Sequence, residues 1–475
     1  MSVGVHVRRV TRRATDHVRQ LPPAGVLALG WAIVLGYAFP GIMTLDSFDH
    51  LREGRYGIYT DGHPPVLSAI WGEVDAIVAG PAGMFVIQTA AFLLGVHAWL
   101  RHTFTPRRAA WLAVAVTLFP PLLAPMGVIW KDAVMAAFLI LGLAGLRAPR
   151  RGVRVAALVA VFVATAVRYN TPAATLPLVV LLFEWSPTPA TWRGRLRRYA
   201  ISTTVWVAFT AGALLLNAGL TDKPMHFWHS SAAVMDIAGT IAFIEPALSD
   251  EELRRELAPT EPLIDAELHA RIRARYLPYD FTPLIFGDGR IWSVPIMGDT
   301  PAPPAQRAGI ERAWQHFVLG YPGAYLRHRI AAFANLLGVP RNTPAVLVQT
   351  ARGQHIKVAV FMGLSTRTSS LQNWMQRKLE HVAKRTPLFR PWIYLVLALV
   401  FLPLGRRHRD VFALLLSGIL LELSLFPLAG TPDFRYSHWL VLCTTLAAIM
   451  LVARRARSGR DRMARERMVG TGHAD

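Results

Sequence analysis

Two aspartates that directly follow the first apolar segment are the residues of this chain best placed to do chemistry. The run from Ala24 to Met43 carries no charge, and Asp46 and Asp49 come at once after it. About 20 apolar residues, each rising 1.5 Å along a helix, cross the hydrocarbon core of a bilayer. Both carboxylates are therefore expected at a membrane surface. A carboxylate there can take a proton from a hydroxyl group, so Asp46 is a candidate general base. Asp49 would share its helical face and is the second candidate catalytic residue.

Further polar residues lie where later apolar runs end, and threading the chain through a membrane brings these ends to the same side. Charged side chains at such a depth are costly unless they are paired or functional. Cations among them can hold an anionic group. Their convergence favours a shared polar cavity over coincidence. The candidate binding residues are His63, Lys131, Asp132, Arg168, Asn170, Asp433, Arg435 and Tyr436.

Each of these side chains also has a structural interpretation. Asp46 could have no role beyond terminating its helix, and Lys131 could form a local ion pair with Asp132. Arg168 could extend toward lipid phosphates, and His63, which precedes two prolines, could belong to a turn. The sequence requires no metal ion, so the cofactor is unknown and a divalent cation stays open. With one cysteine in 475 residues, no disulfide and no cysteine-based metal site can form within one chain.

The elements that must position these residues are apolar helices. The chain is 53% hydrophobic and only 17% charged, which excludes an ordinary soluble globular protein. We predict an all-α polytopic membrane protein with about ten transmembrane helices and a large extracytoplasmic loop domain. The apolar runs lie at 24–43, 82–100, 109–125, 133–147, 153–167, 171–184, 199–220, 391–405, 411–429 and 438–453.

The net charge of +21 predicts orientation rather than a nucleic-acid partner, because its location matters more than its size. With the N-terminus inside, the cytoplasmic segments hold 26 Lys and Arg and the four short outer loops hold 5. This asymmetry follows the positive-inside rule. It indicates contact with anionic membrane lipids. We therefore expect a multi-pass plasma-membrane protein with both termini cytoplasmic and the active site extracytoplasmic.

The same pattern divides the chain into segments. A charged helical stretch is predicted from Ser249 to Tyr276, opening with a capping box. An amphipathic segment from Tyr325 to Leu337 is predicted to lie in the membrane interface, or to form part of a re-entrant pair within 325–365. The predicted segments are a basic leader at 1–23, an N-terminal membrane module of about seven helices at 24–220 with a first outer loop at 44–63, a loop domain at 221–390, a C-terminal module of about three helices at 391–453 and a basic tail at 454–475.

Several short motifs resemble the GT-C superfamily, whose members are integral membrane glycosyltransferases that use polyprenyl-phosphate-linked sugars. One further motif, around Asp236, is similar to an element of related bacterial membrane proteins of unassigned substrate. Many members of the superfamily have adjacent Asp and Glu after the first helix, whereas this chain has Asp46 and Ser47. The matching motifs are Asp46-Ser-Phe-Asp49, Tyr59-Thr-Asp61-Gly-His63-Pro-Pro65, Trp130-Lys131-Asp132, Arg168-Tyr-Asn170, Val234-Met-Asp236-Ile-Ala and Pro432-Asp433-Phe-Arg435-Tyr436.

The resemblance implies a GT-C-like fold and a glycosyltransferase reaction. Its partners would be a polyprenyl-phosphate-linked sugar donor, membrane lipids and an extracytoplasmic acceptor that is a cell-envelope glycan, lipid or protein. Asp46 would be the base, the basic residues would hold the donor phosphate, and Asp236 would join the substrate-binding residues. A transporter or flippase for a lipid-linked or anionic substrate is the alternative, although transporters place such groups near the midplane. An accessory membrane subunit without chemistry is the third possibility.

Overall fold

The computed structural model describes residues 21–188, 190–263, 266–295, 300–340, 356–365 and 367–470. Throughout these ranges every regular element is helical, and extended pairing is confined to isolated bridges. The all-α prediction is confirmed for the described chain. The helices of the first half are α1 Pro23–Ala38, α2 Leu45–Tyr56, α3 Pro65–Ile77, α4 Ala82–Arg101, α5 Pro106–Thr117, α6 Pro120–Met126, α7 Lys131–Gly145, α8 Arg151–Ala166, α9 Thr171–Leu182 and α10 Trp192–Leu220.

The second half contains shorter helices before the chain returns to long apolar ones. A π-helical turn at His229–Ala233 leads directly into the first of them. These helices are α11 Val234–Phe243, α12 Asp250–Leu257, α13 Leu268–Arg275, α14 Thr282–Ile285, α15 Pro304–Gly320, α16 Pro322–Leu336, α17 Ile356–Phe361, α18 Ser370–Arg385, α19 Pro391–Gly405, α20 Arg409–Ser424 and α21 His438–Gly470.

Nine of the ten predicted membrane spans correspond to one helix each, and the run at 109–125 is divided between α5 and α6. Only some of these helices have the length of a span. Within the described ranges, three helices are long and apolar enough to cross a membrane, at Ala82–Arg101, Trp192–Leu220 and Phe434–Ser458. A fourth is counted if α5 and α6, which meet at an angle of 73°, form one broken span. The helix breaks just before Pro120 and Pro121, because proline cannot continue the backbone hydrogen bonds of a helix. The six other predicted spans are helices of 12 to 16 residues.

The first outer loop, predicted at 44–63, is mostly a helix. Helix α2 begins after Thr44, whose backbone N–H donates to Ser47 Oγ over 3.1 Å. It ends at Gly57, which has a φ of +63°, a left-handed conformation that favours glycine. A second helix, α3, follows, and its extent was not predicted. The backbones of α2 and α3 touch at Gly54 and Gly72, where a Cβ on Gly54 would lie 2.5 Å from Ser68 O.

The long segment between α10 and α19 has its own apolar core, built from side chains between Ala233 and Ala324. The capping box at Ser249 and Glu252 is confirmed. The continuous charged stretch predicted to Tyr276 is wrong, because the chain leaves the helix after Leu257 and starts α13 only at Leu268.

Two further predictions for this segment need correction or lie outside the structure. Helix α16 covers the amphipathic segment, but His328 and Arg329 are buried against α11 instead of facing water at an interface. Part of the proposed re-entrant region, at 341–355, lies outside the described residues. Helix α18 does not join the core of the loop domain: it packs on α1, and Gln372 donates to the carbonyl of Phe39.

Alternation of the helices separates two ends of the bundle. One end, here called the cavity end, contains the start of α7, the α8–α9 junction and the α20–α21 junction. The other, here called the basic end, contains the starts of α8, α10 and α20. The first residues of these three helices carry Arg151, Arg154, Arg193, Arg198 and Arg409. The fold therefore separates the polar candidate residues at the cavity end from the arginine-rich segments at the basic end, as predicted.

Candidate active site

A cavity of about 340 Å³ lies at the cavity end, between the bundle and the long segment after α10. The bundle side of its wall is assembled from five separate stretches of sequence, and the long segment after α10 supplies further wall residues. The first turn of α2, the loop before α3, the start of α7, the α8–α9 junction and the α20–α21 junction all contribute. The predicted residues that line it are Asp46, His63, Lys131, Arg168, Asn170, Arg435 and Tyr436.

Arg435 is the centre of the charged groups. Its Nη1 lies 2.6 Å from Asp46 Oδ2, and its Nε lies 2.8 Å from Asp433 Oδ2. A third carboxylate, Asp132, has an oxygen 3.8 Å from the same Nε and also pairs with Arg168. Asp132 and Asp433 are buried behind the wall. Buried carboxylates of this kind stay charged only because they are paired, so they anchor the two arginines at the cavity.

Aromatic rings also contact the two guanidinium groups. The Arg435 guanidinium lies 4.6 Å from the ring centre of Trp130 and 5.3 Å from that of Tyr436. The Arg168 guanidinium packs on the same Tyr436 ring, 5.1 Å from its centre. Its Nε donates to Asn170 Oδ1 over 2.6 Å. Contacts between guanidinium groups and ring faces are attractive, so both cations have a defined orientation.

Lys131 differs from the two arginines in its partners. Its Nζ lies 2.7 Å from His63 Nδ1. Among the described residues, no carboxylate oxygen lies within 4.0 Å of this Nζ, although Asp46 is close enough to influence its charge. The cavity therefore combines three cations and three carboxylates, of which only the lysine ammonium has no direct acidic partner.

The surroundings shift the ionisation of these groups. Burial raises the pKa of Asp46, but the charges of Arg435, His63 and Lys131 outweigh it and hold that pKa well below its usual value. Burial and the nearby Lys131 lower the pKa of His63 to about 3. Burial also lowers the pKa of Lys131, which precedes the apolar part of α7, to about 7 despite the attraction of Asp46. Burial raises the pKa of Asp433 even though Arg435 opposes this shift.

Asp49 is not among the residues that line the cavity. It lies one helical turn beyond Asp46, and its carboxylate is 3.4 Å from Arg52 Nη2. Burial raises its pKa to about 6 against the effect of Arg52. The structure therefore does not assemble Asp46 and Asp49 as a pair facing one cavity.

Asp236 also lies away from the cavity, in the core of the long segment. It pairs with Arg329, lies 3.1 Å from His328 Nε2 and accepts a hydrogen bond from Trp314 over 2.9 Å. Its neighbour Met235 lines the cavity instead. Arg329 donates to the carbonyl of Ala429 over 3.0 Å, and Ala429 is part of the cavity wall. Asp236 thus supports the wall through Arg329 and is not placed to touch a substrate.

Several residues at the site were not predicted from sequence. Behind His63, the His50 ring lies 4.9 Å away. His50 Nδ1 is 2.8 Å from Ser68 Oγ, which donates to Glu53. His50 and Glu53 are three positions apart on one helix, and this spacing could have indicated from sequence that they lie on one helical face. The apolar residues of the cavity wall gave no such signal. Those wall residues are Phe227, Met235, Phe281, Leu425 and Leu428.

In the described part of the chain, no group of three or more His, Cys, Asp or Glu side chains is arranged to hold a metal ion. Chemically, the site offers one carboxylate beside a histidine, three cations for an oxyanion and an apolar wall. Such a set can bind a phosphate ester and take a proton from a hydroxyl group.

No family model matches the chain, and no curated protein or solved structure matches it either.

Proposed function

We propose that the protein is a membrane glycosyltransferase that moves a sugar from a polyprenyl-phosphate donor to an acceptor hydroxyl. The observation that carries the proposal is the meeting of Asp46, Lys131, Arg168 and Arg435 around one cavity at the ends of apolar helices. A lipid-linked donor needs its phosphate at a membrane surface and its prenyl chain among apolar helices. The predicted GT-C-like fold with about ten spans belongs to this proposal.

The charge balance of the cavity supports a donor with one negative charge. Three carboxylates accompany the three cations, and within the described part of the chain only Lys131 lacks a direct acidic partner. A sugar linked through a single phosphate is a phosphodiester with one negative charge. A nucleotide diphosphate sugar carries at least two, and the nearby carboxylates would repel the excess charge. The cavity therefore favours the lipid-phosphate donor.

Asp46 acts as general base in this proposal, and the donor prepares it for that role. While Arg435 pairs with Asp46, the carboxylate is a weak base because its pKa is held low. A donor phosphate that takes over part of the Arg435 contact weakens this pairing and raises the basicity of Asp46. The acceptor proton then moves to Asp46 as the acceptor oxygen attacks the anomeric carbon. The bond to the donor phosphate breaks, and Lys131, Arg168 and Arg435 stabilise the departing oxygen.

The wall residues that the long segment supplies to the cavity support a role for this segment in choosing the acceptor. Phe227, Ser231 and Met235 reach the cavity from the π-turn and α11, and Phe281 reaches it from the loop before α14. These side chains complete a cavity whose charged groups come from the bundle. A transporter remains the competing proposal, but a site at the helix ends, away from their middle, favours group transfer.

The test compares cells that carry the wild-type protein, no protein, Asp46→Asn or Asp49→Asn. Mass spectrometry of lipid-linked sugars and envelope glycans identifies the donor as the polyprenyl-phosphate sugar that accumulates without the protein. Asp46→Asn should reproduce that accumulation, because loss of the base lowers turnover by about 100-fold or more. Asp49→Asn is the matched control on the same helix and should keep most activity.

Two results would contradict the proposal. If deletion of the gene leaves every lipid-linked sugar unchanged, the glycosyltransferase reaction is wrong. If Asp46→Asn turns over at the wild-type rate while Asp49→Asn is inactive, the base is Asp49 and the cavity described above is not the catalytic one.

A further inference from the structure

A second cavity, of about 450 Å³, opens at the basic end of the bundle. It lies between the segment that follows α9 and the first three turns of α10. It is far along the helices from the charged cavity, since α9 starts at one site and ends at the other. Its polar and aromatic wall includes Trp185, Thr188, Arg193, Arg197, Arg198 and Ser202.

The back of this basic cavity is held by arginines that donate to backbone carbonyls. Arg198 donates to the carbonyl of Leu181 and pairs with Glu184. Arg154 donates to the carbonyls of Ala148 and Trp185. These contacts satisfy carbonyl groups at the ends of helices, which otherwise lack partners. Arg198 and Arg154 therefore have a structural role and shape the cavity.

The mouth of the cavity has donors that are not used. Arg193 and Arg197 are exposed. In the described chain, neither guanidinium has a carboxylate within 4.0 Å. Glu184, the nearest acid in the sequence, is held by Arg198 and Arg409 and does not line the cavity. An anion that enters the cavity would therefore meet two guanidinium groups without competition from an acidic side chain.

Two further features of the wall suit an oxyanion. Thr188 Oγ1 is shielded from solvent, lines the cavity and has no hydrogen-bond partner among the described residues. A buried hydroxyl without a partner is costly, and a ligand oxygen can satisfy it. The cavity also lies at the N-terminus of the 29-residue helix α10, where the helix dipole favours negative charge.

The rim of the cavity is apolar. Trp192 and Leu196 on α10 are 65% and 61% exposed, and Trp185 and Ile201 are also exposed. Tryptophan with arginine at the end of an apolar helix is typical of the region where lipid headgroups meet the hydrocarbon. The surface next to the anion-binding groups is thus suited to acyl chains.

We propose that this basic cavity binds a phosphate group, presented by the headgroup of an anionic phospholipid. Arg193 and Arg197 contact the phosphate oxygens, Thr188 donates to one of them, and the exposed rim packs against the acyl chains. The site does not depend on the reaction proposed above, because it lies at the opposite end of the bundle and shares no residue with the charged cavity.

The test uses full-length protein in a neutral detergent and native mass spectrometry to count bound lipids. The probes are phosphatidylglycerol, phosphatidylcholine and inorganic phosphate as a competitor. Wild-type protein should bind phosphatidylglycerol saturably and in preference to phosphatidylcholine. Arg193→Gln/Arg197→Gln should weaken this binding about tenfold or more, since each basic residue near a headgroup contributes to the attraction. The control Arg195→Gln/Arg107→Gln removes equal charge from exposed positions outside the cavity and should bind as wild type.

The competitor distinguishes the source of the phosphate. Displacement of phosphatidylglycerol by millimolar inorganic phosphate supports phosphate recognition and assigns the site to a soluble phosphate compound as well. No displacement supports a lipid-specific site. Equal binding of both lipids, or equal loss in the two double variants, would overturn the proposal. Both variants should unfold at the wild-type temperature, because the four replaced arginines are exposed and make no ion pair in the described structure.

Discussion

At the scale of single residues, Arg435 decides how the other charges at the cavity are used. It contacts Asp46, Asp433 and Asp132, and it packs on Trp130. A buried cation with this many acidic neighbours is a stable part of the fold. Lys131, which has no direct carboxylate partner among the described residues, is therefore the cavity cation whose charge responds to pH.

Binding of an anionic donor is expected to depend on pH through Lys131. A lysine carries its charge below its pKa, and burial lowers the pKa of Lys131 to about 7. The affinity for a short-chain prenyl phosphodiester should therefore be highest near pH 6 and fall as the pH rises to 8, where the ammonium is neutral. Titrations at fixed ionic strength between pH 6 and pH 9 measure this change.

Two variants separate the lysine charge from other causes. Lys131→Arg should bind with little dependence on pH, because a guanidinium stays charged throughout this range. Lys131→Met should bind weakly at every pH. If Lys131→Met keeps the wild-type pH profile, another group is responsible and the assigned role of Lys131 is wrong.

At the scale of elements, close helix packing holds the cavity residues in place. Helix α7, which carries Lys131 and Asp132 at its start, packs against α4 at Gly95 and against α8 at Gly142. A Cβ on Gly95 would lie 2.6 Å from Leu141 N. A backbone contact of this kind cannot move away as the end of a flexible side chain can.

Gly95→Ala is expected to destabilise the protein by roughly 1 to 3 kcal/mol, the typical cost of overpacking. Gly219→Ala is the matched control, because a Cβ at Gly219 meets nothing within 4 Å. It should be neutral, or stabilise α10 by up to about 1 kcal/mol through reduced freedom of the unfolded chain. Thermal unfolding in detergent compares the two variants. Equal melting temperatures would show that α4 and α7 are not packed as closely as described.

At the scale of the whole molecule, the separation of the two ends predicts its orientation in a membrane. Arginines gather at the starts of α8, α10 and α20, whereas the long segment lies on the side of the charged cavity. The positive-inside rule then places the basic end in the cytoplasm. The single cysteine, Cys443, is fully buried, so an introduced cysteine can be labelled with little background.

A membrane-impermeant maleimide should label Glu251→Cys in intact cells, because Glu251 is exposed on the long segment. Arg407→Cys, which is exposed between α19 and α20 at the basic end, should react only after the cells are opened. The wild-type protein should stay unlabelled in both conditions. Labelling of both variants from the same side would contradict the predicted orientation.

Most helices could be predicted from the sequence, because runs of uncharged apolar residues are visible without knowledge of their neighbours. Helices α4, α7, α8, α9 and α19 lie within two residues of the predicted runs at each end. Helix lengths were less predictable: the run at 24–43 becomes a helix that ends at Ala38. Helices α2 and α3 were not predicted at their full length, because they are held by contact with each other and not by a long apolar run.

The candidate site, like the helices, was predicted from the sequence only in part. The sequence by itself determined its charged members, since ionisable side chains beside apolar helices are costly and therefore stand out. Only the tertiary structure decided which of them share a cavity. Asp46 reaches it and Asp49 does not, because the cavity meets α2 at its first turn alone. Asp236 turns into the core of the long segment, where Arg329 pairs with it and His328 lies within hydrogen-bonding distance. Ion pairs between residues hundreds of positions apart depend on packing, and no local pattern of residues records them.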